Sequence, residues 1–295
     1  MEYTVSGSFE RDSVSLPAGH MYLIRHSAAP LHGRVALHYH DHYEAFFSLS
    51  GNLIYAVEGQ QYRLDAGTLL LIAPYQLHQP QPKTDGCAER IALRFAAELP
   101  RQLADKGCKL DAWLDPRAPG YTNLLRLDKH QQRLFLSVLR ALLQENTQDN
   151  LGKELAEQTL LTQFFLLAGR AALLGAQAAP LEDPSAVLVH QAVDYMEQNY
   201  ASPLTLELLS TQLHMDRFHL SREFSRLVGC PPHRYLLQKR LQHVEQLLRA
   251  GVSPQQAAFR CGFSDYTNFY RQFRAAYGVS PRAWQTTYRA DGCIK

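Results

Sequence analysis

No stretch of this 295-residue chain approaches the roughly 18–20 consecutive uncharged apolar residues that a membrane-crossing helix needs. That excludes a helical membrane protein, and no membrane partner is expected. The opening residues MEYTVSGSFERDS lack the basic-then-apolar pattern of a secretory leader, so a cytoplasmic location is expected. Paired cysteine is missing too. The five cysteines (Cys87, Cys108, Cys230, Cys261 and Cys293) are odd in number, widely spaced and without a CxxC, which argues against a disulfide framework and a zinc finger. They read as buried or incidental thiols. Nor is there a large net charge: the total is +2. That figure hides an asymmetry, because residues from Ser185 onward hold 13 Lys/Arg against 8 Asp/Glu, net +5, and the rest is at −3. The carboxy-terminal part is the one suited to meet a polyanion.

What is present is ordinary globular material. Hydrophobic residues make up 46% and charged residues 20%, enough apolar content for a core in each of two domains. Between about residues 20 and 97, EAFFSLSG, NLIYAVEG, QQYRLDAG, TLLLIAP and ERIALRF are rich in β-branched and aromatic residues. Gly51, Gly59, Gly67 and Pro74 punctuate them at short intervals, as a small antiparallel β-barrel requires. From Asp128 to Leu174 the period becomes helical. Leu134, Val138 and Leu142, then Leu155, Leu160, Phe164, Leu167 and Leu174, form apolar stripes around a polar break at residues 146–150. This predicts a helical hairpin that caps the barrel. Its apolar surplus over one contact face also points to pairing with a second copy of the chain. AQAAPLEDP, 176–184, is aperiodic and reads as a linker.

After Ser185 come short helices with clear punctuation. LTLELLSTQL, a turn at His214–Asp216 and RFHLSREFSRLVG form a helix-turn-helix, with Leu220, Phe224 and Val228 on one face. A connecting helix carries Leu241, Val244 and Leu247. Then Ser253-Pro254 opens a short helix, CGF turns, and Ser264 or Asp265 caps YTNFYRQFRAAYG, with Phe269, Phe273 and Ala276 inward and Gly278 ending it.

The run LQKRLQHVEQLLRAGVSPQQAAFRCGFSDYTNFYRQFRAAYGVSPRAW resembles the AraC/XylS signature, with its Arg-Leu pair, Gly-Phe turn, aromatic-x3-Phe helix and closing Gly-Val-Ser-Pro. The likeness extends back through LSREFSRLVGCPPHRYL. It implies a transcription regulator with double-stranded DNA, a small-molecule effector and RNA polymerase as partners, and activation as its mode. A helix fits the major groove, its amino-end side chains reach base edges and its positive dipole end faces phosphate. With the named apolar residues inward, Arg217, Phe218, Ser221 and Arg222 point outward on one recognition helix, and Tyr266, Thr267, Asn268 and Arg271 on the other. The resemblance places DNA contacts at the same positions. A stiff connecting helix should set the two in successive major grooves, about 34 Å apart.

In the barrel, His38-x-His40-x3-Glu44-x6-Gly51 resembles the first cupin motif, and Pro74 to His78 a shortened second one. Even spacing on a regular strand would turn His38, His40, His42 and Glu44 inward, and His78 would close the set. The motif does not use His42. His38, His40, Glu44 and His78 are therefore the expected effector site. The same four are the candidate ligands of a divalent metal, the one cofactor the sequence offers. Tyr39, Tyr43, Phe46, Phe47, Tyr55 and Tyr75 offer aromatic surface, as barrel core or as a stacking surface for a ligand. Arg25 and Arg94 could meet a ligand carboxylate.

The expected fold is an α+β multidomain one. It comprises a cupin-like effector-binding and dimerisation barrel with helical hairpin (1–175), the linker, and an all-α DNA-binding domain with two helix-turn-helix units (185–295). The expected function is a non-enzymatic regulator under effector control. Two alternatives stay open: a metal-dependent cupin enzyme fused to a DNA-binding module, and a barrel that only dimerises.

Overall fold

The computed structural model describes residues 16, 21–30, 37–51, 53–82, 87–104, 108–116, 118, 121–148, 150–174 and 184–291. Of the expected linker only Pro184 lies among them, and it already opens a helix.

The amino-terminal part is built from two sheets. The larger has the order β1 (Tyr22–Pro30), β7 (Cys87–Phe95), β2 (Tyr43–Ser48), β5 (Thr68–Ile72), β8 (Leu124–Arg126); the smaller runs β4 (Gln60–Leu64), β3 (Leu53–Val57), β6 (His78–Pro82), and every pairing is antiparallel. The sequence pattern does not flag β6, HQPQP. Proline has no N–H to give a ladder, and it is tolerated here because β6 is an edge strand.

β5, TLLLI, is buried along its whole length because both faces of its sheet are covered. Leu69 and Leu71 meet a core shared with the helices, whereas Leu70 and Ile72 join Phe46, Tyr55, Tyr62 and Leu64 between the sheets. The same parity on β2 sends Ala45 and Phe47 to the helices and Phe46 to the barrel interior. Glu44 shares the parity of Phe46, so an acid sits on an inner face.

A short helix α1 (Leu99–Leu103) precedes β8. The expected hairpin follows as α2 (Lys129–Thr147) and α3 (Lys153–Leu173), with Asp128 closing a capping box with Gln131 at the start of α2. Its buried face differs from the stripe the sequence suggested. Phe135, Val138, Leu139 and Leu142 are buried on α2, and Leu161, Phe164, Phe165, Ala168 and Ala171 on α3. Leu155 and Leu174 are exposed, at 70% and 80%. The aromatic residues set this rotation. Phe135 meets Phe164 edge-on at 5.7 Å and lies 6.3 Å from Phe47.

The carboxy-terminal part comprises α4 (Pro184–Asn199), α5 (Leu206–Gln212), α6 (Arg217–Val228), α7 (Pro232–Arg249), α8 (Pro254–Arg260), α9 (Tyr266–Tyr277) and α10 (Pro281–Asp291). α5–α6 and α8–α9 are the two helix-turn-helix units, and α7 joins them. Thr205, Asp216, Ser253 and Asp265 cap α5, α6, α8 and α9 with their side chains. Gly262 of the CGF turn has φ +82°, and a Cβ there would come within 2.6 Å of the Ala201 carbonyl oxygen. That position accepts only glycine. Leu220, Phe224, Leu227 and Tyr235 pack the first unit, and Leu241, Val244, Phe269, Phe273 and Trp284 the second.

The two parts are fused by a polar and apolar seam. Leu37 and Leu77 of the barrel belong to the same buried cluster as Val189, Val193, Leu220 and Phe224. The β3–β4 hairpin turns through Glu58 (φ 46°) and Gly59 (φ 76°), a two-residue turn with both φ values positive. Glu58 accepts a hydrogen bond from the Tyr235 hydroxyl at 2.5 Å and pairs with Lys239 at 2.9 Å. Lys239, buried, also meets Glu197 at 3.1 Å.

Candidate functional site

The barrel cluster begins with the register. Glu44 on β2 stands directly opposite Arg94 on β7, and opposed residues share a face, so Arg94 Nε reaches Glu44 Oε1 at 2.6 Å. Arg94 thus pairs with the protein's own carboxylate. The regular strand expected through His38–Glu44 is not formed. β2 starts only at Tyr43, and His38 makes an isolated bridge to His78. The irregular segment nonetheless delivers His40, whose Nε2 lies 3.3 Å from Glu44 Oε2, while His78 Nε2 lies 3.8 Å from the same oxygen. One ligand atom each from His40, Glu44 and His78 falls within 4.8 Å of the others, and all three residues are buried.

His38 lies outside that triad, its ring 4.2 Å from the His78 ring. His42 is turned inward, as even spacing suggested, yet stacks on His40 at 4.0 Å instead of joining the triad. His40 Nδ1 is 2.7 Å from the His42 carbonyl oxygen and His78 Nδ1 is 2.8 Å from that of Gln76. A carbonyl only accepts, so each Nδ1 carries the hydrogen and each Nε2 faces Glu44. Burial opposes the charge on Glu44, but the His40 contact and the Arg94 charge outweigh it and hold the carboxyl well below the usual range. Burial, reinforced by neighbouring imidazoles, pushes His78 well below its ordinary value.

The aromatic residues of this part are mostly core. Phe46, Phe47 and Tyr55 are buried, and Tyr43 stacks on Phe95 at 5.2 Å. Tyr39 and Tyr75 do something else. The Tyr39 hydroxyl meets Tyr277 at 2.5 Å and Glu245 at 3.2 Å in the helical domain, and the Tyr75 carbonyl accepts from Gln242. Asp41 pairs with Arg249 at 2.7 Å. Along 39–42, side chains therefore alternate between the barrel cluster (His40, His42) and the helical domain (Tyr39, Asp41). These seam contacts were not read from the sequence. Their one signal was a polar stripe, Lys239, Gln242, Glu245 and Arg249, on the connecting helix, where an isolated helix would be expected to expose such residues.

On α6, Arg217, Phe218 and Arg222 are exposed, Phe218 at 69%. Arg217 lies 3.3 Å from Glu207 and over the Phe218 ring at 4.6 Å; Arg222 lies 2.9 Å from His219 Nδ1. On α9, Thr267, Asn268 and Arg271 are exposed. Ser221 and Tyr266 differ from the outward placing. Each stands three residues before a core phenylalanine and so shares part of its face. Tyr266 packs on Phe269 at 5.5 Å, while Ser221 and Asn268 line a groove of about 340 Å³ between the two units, with Arg240 at its wall. Two N–H groups at the amino end of each of these helices are occupied by a capping carboxylate. Asp216 accepts from Phe218 and His219 N–H, and Asp265 from Thr267 and Asn268 N–H.

Comparison with known proteins follows the same division. An AraC-like ligand binding domain model matches residues 20–165, and a helix-turn-helix domain model matches residues 209–287. The HTH-type transcriptional activator RhaS of Escherichia coli is 25% identical over 246 residues, 83% of this chain and 85% of that protein. Among solved structures, the DNA-binding domain of AdpA, a global transcriptional factor, in complex with a target DNA, is 27% identical over 36% of this chain and 97% of that one, with a TM-score of 0.35. ToxT from Vibrio cholerae, bound to unsaturated fatty acid, is 14% identical over 91% of this chain and 96% of that one, with a TM-score of 0.36.

Proposed function

Since the chain is a member of the AraC family of DNA-binding transcription regulators, a non-enzymatic family, with that family's ligand-binding domain ahead of its helix-turn-helix domain, we propose that it activates transcription when a small molecule occupies the barrel cluster. The observation that carries this reading is the alternation along 39–42. One short segment supplies His40 to the cluster and Tyr39 and Asp41 to the helix that joins the two DNA-binding units. A ligand that binds one setting of this segment better than another shifts the domain arrangement by that difference in affinity.

In this reading His38, His40, Glu44 and His78 form the effector site. Arg217, Phe218, Ser221 and Arg222 meet one major groove, and Tyr266, Thr267, Asn268 and Arg271 meet the next. Ser221 and Tyr266 take part from the groove wall. The division of labour is 1–175 for effector binding and dimerisation, 176–184 for the link and 185–295 for DNA. Exposed Leu155 and Leu173 on α3 support pairing of two copies through the hairpin. RNA polymerase is the partner an activator requires, and the cytoplasm is where both are met. No helix of the described residues is long and apolar enough to cross a membrane.

The test is to select DNA from a random-sequence pool with the full chain and map the protected site. A site of about two helical turns per chain is expected. Failure of the full chain to enrich any sequence would refute the reading.

A further inference from the structure

The barrel cluster has a chemistry that calls for a cation or a hydrogen donor among its acceptors. Two imidazole Nε2 atoms and one carboxylate oxygen converge in a buried space, and the hydrogens of both rings are committed elsewhere, to the His42 and Gln76 carbonyls. With both rings neutral, three lone-pair donors therefore face one another. His78 Nε2 has no hydrogen-bond partner, although the residue is 0% exposed. A proton on His40 would join that ring to Glu44 and still leave His78 facing the pair without a hydrogen. A cation placed among the three satisfies all of them.

We propose that His40, Glu44 and His78 bind a divalent first-row transition metal ion and that this ion is the regulatory ligand; the second clause rests on the reading of the cluster as the effector site. Two imidazoles and a carboxylate suit zinc, cobalt, nickel, iron or manganese rather than calcium or magnesium. Ligand atoms about 2.0–2.2 Å from a shared ion sit roughly 3–4 Å apart; Glu44 lies 3.3 and 3.8 Å from the two rings, and the full set spans up to 4.8 Å, so the rings must draw together to share an ion. Backbone carbonyls on Nδ1 are the outer partners that orient metal-binding histidines. Three protein ligands leave a coordination position open. His38 takes no part as a ligand and supports the His78 ring by contact.

The ion acts on the domain seam because both histidines are flanked by seam residues. His40 lies between Tyr39 and Asp41, which bond to Glu245, Tyr277 and Arg249. His78 follows Leu77, whose N–H donates to Glu58 and whose side chain packs with Val193 and Phe224. Drawing the two rings onto a common ion moves the chain on both sides of each, and with it the contacts that hold α7.

The full chain, stripped with a chelator and dialysed, is titrated with cobalt(II) and zinc(II). We expect visible cobalt absorption saturating at one ion per chain, displaced by zinc, abolished in His78→Gln and Glu44→Gln and retained in His38→Gln. Absence of saturable binding by the wild-type chain overturns the site without relying on any variant's folding. So does binding that survives His78→Gln. The regulatory clause is read from the affinity of stripped and zinc-loaded wild-type protein for its selected DNA, with a change of at least fivefold expected. One zinc bound with unchanged DNA affinity overturns that clause and leaves the site. DNA binding with no metal uptake overturns the metal proposal and leaves the regulator, whereas metal uptake with no DNA bound under any condition refutes the regulator and leaves the site.

Discussion

Single exposed side chains on α6 and α9 are where the proposed DNA contacts can be tested. Arg222 and Arg271 occupy equivalent places on α6 and α9, exposed and one turn beyond capped amino ends. Arginine pairs bidentately with guanine, so Arg222→Ala or Arg271→Ala should each weaken specific binding by about 1–3 kcal/mol in a gel-shift series. Neither variant should change the melting temperature, because both residues lie outside the core. Glu197 contributes to acid stability alongside Glu44 and Asp41, whose carboxyls are also held low. Burial opposes the charge on Glu197, yet His243 at 3.4 Å and the Lys239 charge at 3.1 Å bring its pKa down to about 2 from an ordinary 4.5. A carboxyl depressed in the folded state stabilises it fully above the unfolded value and loses that contribution as pH falls through the folded one. Thermal melts should therefore decline between about pH 4.5 and 2. Glu197→Gln should flatten part of that limb, and an unchanged acid profile would remove Glu197 from the account.

At the scale of elements, the β3–β4 turn and the connecting helix act as one device. Gly59 sits at φ +76°, and a Cβ there would come within 2.7 Å of Val193 on α4. Gly59→Ala combines backbone strain with a steric clash at the seam. It should destabilise the protein by more than about 1 kcal/mol in denaturant unfolding. The turn also places Glu58 against Tyr235 and Lys239. Hairpin strands, recognition helices and caps were all legible beforehand, because alternation, apolar spacing and Asp, Ser or Gly punctuation are local. The inner face of α7 was not. Lys239, Gln242, Glu245 and Arg249 look solvent-facing until Glu58, Tyr75, Tyr39 and Asp41 arrive from residues far away in sequence. β6 escaped for a related reason, since proline is compatible with a strand only at an edge, and edges are defined by neighbours.

For the whole molecule, two exposed leucines of α3 bear on the proposed pairing of two copies. Leu155 and Leu173 are exposed at 70% and 84% while the opposite face of the helix fills the core. Leu155→Glu together with Leu173→Glu should convert a dimer to a monomer in sedimentation or light scattering, with the melting temperature of the barrel little changed. A dimer unaffected by both charges would move the interface elsewhere.

The sequence by itself determined the two-domain plan, the doubled helix-turn-helix and the presence of a His/Glu group on an inner barrel face. Local periodicity and capping chemistry are written in neighbouring residues. Tertiary structure decided which histidines converge, that Arg94 answers Glu44, and that the barrel group lies beneath the seam with the helical domain. Those outcomes depend on a break in the strand before Tyr43, on cross-strand register and on docking between distant segments. Such terms appear only when the chain has closed on itself.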